Sequence, residues 1–218
     1  MHIYLPQCIR YFVFTTAGNI YGIDLEEIKA DLNSFKTWNE FFTRELKDGA
    51  RTIDSPDDPK TLVSPCDGKV LRITEVDSEK STIDPVKGIS YGLDEFLLGN
   101  RDEAEGQKSA LKRMVNAAKD RGNKVMLMIM YLCPGDYHRY HSPATFTAGY
   151  RRHIAGFLQC VDPSYIEQHP YVHKTNERVN IFGNWNYGFL AVSFVGALNV
   201  GSIQLHFDKT LFTNNSNP

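Results

Sequence analysis

Long apolar runs are missing from this chain. No stretch approaches the roughly 20 apolar residues that a helix needs to cross a bilayer, which excludes a spanning helix. Cysteine is scarce: Cys8, Cys66, Cys133 and Cys160 lie far apart and form no zinc or redox pair. They read as free thiols of a reducing compartment, with Cys66 and Cys133 as small packing residues. An excess of either charge is also absent. The formal net charge is −2, so bulk electrostatics give no reason to expect a nucleic-acid partner. There is no internal repeat and no low-complexity tract. Met1 to Thr16 carries only Arg10 as a strong charge, which fits neither a secretory signal nor an Arg-rich transit peptide. An organellar address is therefore not found here.

What is present is a globular composition, 42% hydrophobic and 23% charged, on a chain long enough for one large domain or two small ones. Thirteen Phe and eleven Tyr favour strands around a sizeable core.

The richest stretch is Tyr131-Leu-Cys-Pro-Gly-Asp-Tyr-His-Arg-Tyr-His-Ser-Pro143. The apolar run Val125 to Leu132 feeds into Pro134-Gly135, which breaks any regular element. Asp136, His138 and His141 follow, three groups able to move protons or hold charge. In a turn, a three-residue spacing puts both imidazoles on one side, whereas a strand would oppose them. This suggests an active site. Two other readings stand beside it. The histidines could satisfy buried backbone while Tyr137 and Tyr140 pack. Alternatively they could bind a metal, with His153 or Asp136 as third ligand.

Residues 1–22 leave helix and strand open. Asp24 with Glu27 forms a capping-box pattern ahead of Leu25, Ile28 and Leu32 on one helical face. Thr37 with Glu40 repeats it, and Trp38, Phe41, Phe42 and Leu46 make an apolar stripe that ends at Gly49. Such a stripe is usually core, although aromatic amphipathic helices also lie in lipid interfaces. Asp67-Gly68 marks a turn between extended segments, where the aspartate could simply satisfy backbone. Leu93 to Leu98 is a short helix, and 100–123 a charged surface insertion with some helix. Beyond Lys124 the pattern is mostly strand. Val125 to Leu132 reads as buried on both faces. Phe146 to Leu158 is mixed. Arg178 to Phe182 and Phe189 to Val195 make a hairpin around Gly183-Asn184. Ser202 to Phe207 alternates, with Ile203, Leu205 and Phe207 inward.

Four blocks, Ser64-Pro-Cys-Asp-Gly68, Pro134 to Pro143, Asn176-Glu-Arg-Val179 and Val195 to Ser202, resemble phosphatidylserine decarboxylase in the same order. The similarity runs from about Trp38 to Thr213-Asn214 and is greatest to the eukaryotic mitochondrial branch. The resemblance implies an α+β fold: a mainly antiparallel β-sandwich or barrel-like catalytic domain over 60–218, incomplete at its C-terminus, behind N-terminal amphipathic helices in a membrane-facing region over 1–59.

It also implies a lyase that converts phosphatidylserine to phosphatidylethanolamine and CO2. The family's cofactor is a pyruvoyl group (pyruvate) formed from an internal serine by cleavage at Gly-Ser. By the same resemblance His141 is the base for that cleavage, Asp67 orients it, and His138 donates a proton or positions substrate during decarboxylation. The implied partners are phosphatidylserine and a phospholipid surface, with no nucleic acid and a homo-oligomer left open. The implied location is peripheral on the mitochondrial inner membrane, with another endomembrane or the cytosol as alternatives.

The family's Leu-Gly-Ser-Thr type cleavage motif is not in this sequence. Gly201-Ser202 matches a different, uncut segment. The pyruvoyl group is therefore not formable from these residues, and the chain alone is expected to be inactive, as a truncated form. Two other functions remain in view: an inactive lipid-binding remnant of the family, and an unrelated metal-dependent hydrolase using His138 and His141.

Overall fold

Phe14, Phe35 and Phe41 organise the N-terminal part of the computed structural model, which describes residues 3–76, 82–86, 89–99, 105–198, 200 and 202–214. The chain divides into two units. One is Met1–Lys69 with Met130–Thr145, the other Val70–Ile129 with Phe146–Pro218.

In the first unit, helix α1 (Gln7–Tyr21) ends at Gly22, whose left-handed backbone (φ 67°) turns its N–H onto the Gly18 carbonyl. This settles the open choice at the N-terminus. A 3-10 turn (Leu32–Ser34) and helix α2 (Trp38–Phe42) follow. Thr37 caps α2 by accepting the Glu40 N–H at 3.2 Å, as the capping pattern predicts. Phe14 stacks on Phe41 with centroids 4.6 Å apart, and Phe35 meets both edge-on. Phe41 and Phe42 are buried, so the aromatic stripe is core.

Two expectations fail here. No helix forms over 25–32: the Asp24 carboxylate accepts the Glu26 N–H in a tight turn, and Glu27 points instead at Arg51. Helix α2 also stops at Phe42, well short of Gly49. The Thr43 hydroxyl folds back to the Asn39 carbonyl, and the Arg44 guanidinium, also buried, serves the backbone of the histidine loop.

Beyond Lys69 the architecture is α+β. Strand β1 (Lys69–Glu75) pairs with β4 (Met126–Tyr131), and β2 (Thr82–Val86) with β3 (Ile89–Gly92). Strands β5 (Phe146–Ile154), β6 (Arg178–Trp185) and β7 (Gly188–Val195) form an antiparallel sheet with β6 central. None of these sheets is closed into a barrel. Helices α3 (Leu93–Leu98) and α4 (Glu105–Asp120) join the core through Leu97, Leu98, Leu111 and Val115. The presumed surface insertion is thus partly structural, and its residues 100–104 lie outside the described set. Short helices α5 (Pro163–Gln168) and α6 (Val172–Thr175) precede β6.

Several strand expectations need correction. Strand β4 exposes Met126 and Met128, because a two-stranded sheet covers only one of its faces. The β6–β7 turn lies at Asn186-Tyr187, not Gly183-Asn184, since β6 is held extended by neighbours on both sides. Residues 146–154 form one strand despite their charges, which find partners: Arg151 on Asp208, Arg152 on the Leu98 carbonyl, His153 on Glu177. Residues 202–207 are no strand. Ile203 and Leu205 are buried, but the chain turns back at Leu205–Asp208 and leaves Phe207 71% exposed.

Candidate active site

The histidine loop belongs to the first unit and is held there by cations. Arg44, only 4% exposed, donates from Nη2 to the carbonyls of Gly135 (2.9 Å) and Asp136 (3.2 Å). Arg139 donates to the Thr43 carbonyl (2.8 Å) and to Glu45 (3.0 Å). The loop itself turns at Cys133–Asp136, where the Asp136 carboxylate accepts the Cys133 N–H at 2.7 Å. Asp136 is therefore a turn-forming residue.

His138 lies with its ring 3.9 Å from that of Phe42, centroid to centroid. Its Nδ1 is 2.9 Å from the Asp136 carbonyl. A carbonyl only accepts, so Nδ1 carries hydrogen and, in the neutral ring, Nε2 presents a lone pair. Burial lowers the His138 pKa from the ordinary imidazole value, with Arg44 adding to the effect and Asp136 opposing it. Burial thereby favours the neutral ring of His138.

His141 is anchored by its backbone, whose N–H donates to the Pro65 carbonyl at 2.6 Å. Its exposed ring stacks beside Tyr137, with Nε2 3.3 Å from the phenol oxygen. Tyr137 is buried, and that burial raises its pKa. Tyr140 is similarly pushed up to about 12 by burial. Cys66, in the facing loop, rises to about 11 by burial first, and is therefore an unreactive thiol.

Asp67 sits where Gly68 permits. Gly68 has φ 136°, and a Cβ there would lie 2.5 Å from the Tyr131 carbonyl oxygen, so only glycine lets this loop pass against the histidine segment. The Asp67 carboxylate accepts from Arg51 Nε (2.9 and 3.0 Å) and Nη2 (2.7 Å), while Arg51 Nη1 reaches Glu27 at 2.8 Å. These two acceptors raise the Arg51 pKa, Asp67 contributing most. The resemblance implies that Asp67 and His141 lie together, and the main chain joins their loops through the His141 N–H and the Pro65 carbonyl. Their side chains share no hydrogen bond, however: Arg51 takes the carboxylate and Tyr137 the imidazole. Sequence reasoning missed Arg51 altogether and gave Tyr137 only a packing role.

The third block, Asn176 to Val179, belongs to the second unit and is structural. Asn176 is fully buried and donates to the Gln159 and Gly196 carbonyls. The Glu177 carboxylate binds His153 Nε2 at 2.7 Å and the Asn214 N–H. Arg178 donates to the carbonyls of Glu95, Phe96, Lys174 and Asn176, closing the end of α3. Burial lowers its pKa to about 10.

Comparison with known proteins agrees with these blocks. The family model described as phosphatidylserine decarboxylase matches residues 38–216. A phosphatidylserine decarboxylase proenzyme, mitochondrial, from Rattus norvegicus is 37% identical over 216 residues, covering 96% of this chain and 52% of the rat protein. The mitochondrial proenzyme 1 of Arabidopsis thaliana is 36% identical, over 98% of this chain and 52% of the plant protein. That of Saccharomyces cerevisiae is 28% identical, over 96% and 55%. The chain spans about half the length of the curated relatives it matches. With the family model covering most of its residues, the chain belongs to the phosphatidylserine decarboxylase family.

Proposed function

We propose that these residues supply the base, the orienting carboxylate and the proton-handling histidine of a pyruvoyl-dependent phosphatidylserine decarboxylase. The observation that carries this reading is the backbone bond from His141 to Pro65, which brings an exposed imidazole to the loop of a fixed carboxylate, Asp67. That pairing suits activation of a serine hydroxyl: His141 takes the proton and Asp67 stabilises the resulting imidazolium. The donor set fits a pyruvoyl group, since it offers proton acceptors and an anchored anion and needs no competing thiol. Such a group, when bound, supplies the electron sink for the carbanion left by loss of CO2.

His138, neutral and with a lone pair on Nε2, takes up a proton shed by the substrate ammonium and delivers it to the substrate carbon once CO2 has left. Phe42 on one side of His138 lowers the local dielectric and strengthens each charged contact made there. The serine that is cut is not in a Leu-Gly-Ser-Thr motif within these 218 residues. Expressed alone, they are expected to remain one inactive polypeptide.

Helix α1 extends the reading to a membrane surface. Tyr11, Phe12 and Ile20 are 60%, 73% and 71% exposed, an apolar group suited to the headgroup region. Among the described residues no helix is long and apolar enough to cross a bilayer. Relatives named as mitochondrial proenzymes support a mitochondrial location, and a peripheral place on the inner membrane is the proposed one within it.

The test uses the full-length protein. Intact mass should show two chains, one blocked at its N-terminus. His141→Ala and Asp67→Ala should stay uncut. His138→Ala should be cut yet fail to release CO2 from phosphatidylserine. Cleavage in His141→Ala at the normal rate would refute the assignment.

A further inference from the structure

We infer that Arg51 is a positioning residue for self-cleavage, gripping the Asp67 carboxylate so that its plane is fixed in the loop clamped to the His141 backbone. This rests on the function proposed above for Asp67 and His141.

The geometry is that of a fork. A carboxylate has about four acceptor sites. The single Nε hydrogen is shared between Oδ1 (2.9 Å) and Oδ2 (3.0 Å), and an Nη2 hydrogen goes to Oδ2 (2.7 Å), so acceptor capacity remains on the carboxylate. Planar guanidinium and planar carboxylate held this way cannot rotate independently, so the plane of the carboxylate is set. Lysine offers a point charge and would fix the distance without fixing the plane.

Arg51 is itself braced. Its Nη1 donates to Glu27 at 2.8 Å and to the Ala50 carbonyl at 2.7 Å, and the Glu27 backbone is tied to Lys47. The Glu27–Arg51–Asp67 row therefore connects the turn after α1 to the proposed catalytic loop, inside one unit of the structure. Glu27 and Asp67 are the anions on the guanidinium, and Arg44 is the neighbouring cation. The pair is partly exposed, with side-chain accessibilities of 44% for Arg51 and 25% for Asp67. Such pairs add little to stability, so its use lies in geometry.

The experiment follows self-cleavage of the full-length protein with time, by intact mass, alongside the melting temperature. Wild type must cleave; if it does not, the underlying assignment fails before Arg51 is in question. Given cleavage, Arg51→Ala should slow it about tenfold to a hundredfold, the range typical of residues that orient a reacting group from behind. Arg51→Lys should recover only part of the rate. Added methylguanidinium should restore Arg51→Ala saturably and leave Asp67→Ala unaffected. Glu27→Gln should give a smaller slowing. A wild-type or faster rate in Arg51→Ala would overturn the proposal, because Arg51 would then be idle or a restraint on Asp67. A slow Arg51→Ala with unchanged melting temperature and no response to methylguanidinium or lysine would overturn it as well.

Discussion

His141 and Pro65 are joined by a 2.6 Å backbone hydrogen bond, and a second one, from Val63 to the Pro143 carbonyl at 2.9 Å, runs alongside it. Two loops far apart in sequence are thus clamped by main chain before any side chain is considered. Neither bond uses the side chain of His141 or of Asp67. Loss of function on substituting either residue can then be read as lost chemistry, provided that the fold is checked by melting temperature.

Gly68→Ala should break this arrangement from the backbone side. The new Cβ would meet the Tyr131 carbonyl in a region of φ that side chains rarely adopt. Strain of this kind costs roughly 1–3 kcal/mol, and the clash adds to it. A lowered urea midpoint together with loss of cleavage in the full-length protein is expected. An unchanged midpoint would mean that the loop reshapes freely.

His138 should make the protein less stable in mild acid. Its folded pKa lies below the unfolded value near 6.5, so the unfolded chain binds the proton first as pH falls. Above that value the group contributes nothing. Below it stability is lost, until the lower folded pKa is reached and the loss levels off. Comparing urea midpoints of wild type and His138→Gln between neutral and mildly acid pH isolates the effect. An NMR titration placing His138 at or above 6.5 would contradict it.

Tyr137→Phe keeps the packed ring and removes the oxygen 3.3 Å from His141 Nε2. The loss of one such bond costs about 1 kcal/mol of stability. The cleavage rate should fall severalfold, because the proposed base loses the neighbour that holds its ring. A rate identical to wild type would assign Tyr137 to packing alone.

Arg178→Lys should destabilise the second unit by roughly 2–4 kcal/mol. Four backbone carbonyls share the guanidinium, and an ammonium cannot reach them all. Urea denaturation measures this, and a loss below about 0.5 kcal/mol, the scale of a surface change, would show that water replaces the fork.

Phe12→Ser together with Tyr11→Ser should reduce co-sedimentation with phosphatidylserine-containing vesicles while leaving the melting temperature within a few degrees of wild type, since both side chains are exposed. Undiminished sedimentation would move the membrane contact elsewhere.

What the sequence reveals depends on whether a residue's partner is local. Thr37 caps the helix beside it, and the β6–β7 hairpin needs only a neighbouring strand, so both are legible, although the turn itself is displaced. The Asp24–Glu27 pattern misleads because Glu27 has a stronger partner, Arg51, in a distant segment. Helix α1 gives no clear period because its apolar residues serve two environments: Phe14 is fully buried while Phe12 is 73% exposed. Within the proposed site, His138 and His141 stand out by residue type and surrounding turn signals, and Asp67 only through the family resemblance. Arg51 does not, since nothing in an Ala-Arg-Thr setting distinguishes a carboxylate-gripping guanidinium from a solvated one. The failed strand at 202–207 shows that alternation without an available sheet edge produces buried side chains but no ladder.

The grip of Arg44 on the histidine loop also has a consequence for synthesis on the ribosome. Its carbonyl partners lie 91 and 92 residues later, which at cellular rates of elongation is a delay on the order of ten seconds. Throughout that interval a guanidinium destined for burial stays hydrated beside Phe42, whose ring partner His138 is equally late. Phe42 is therefore a nascent-chain liability until residue 138 emerges, and a chaperone that shields aromatic segments should be found on stalled chains shorter than that and released from longer ones.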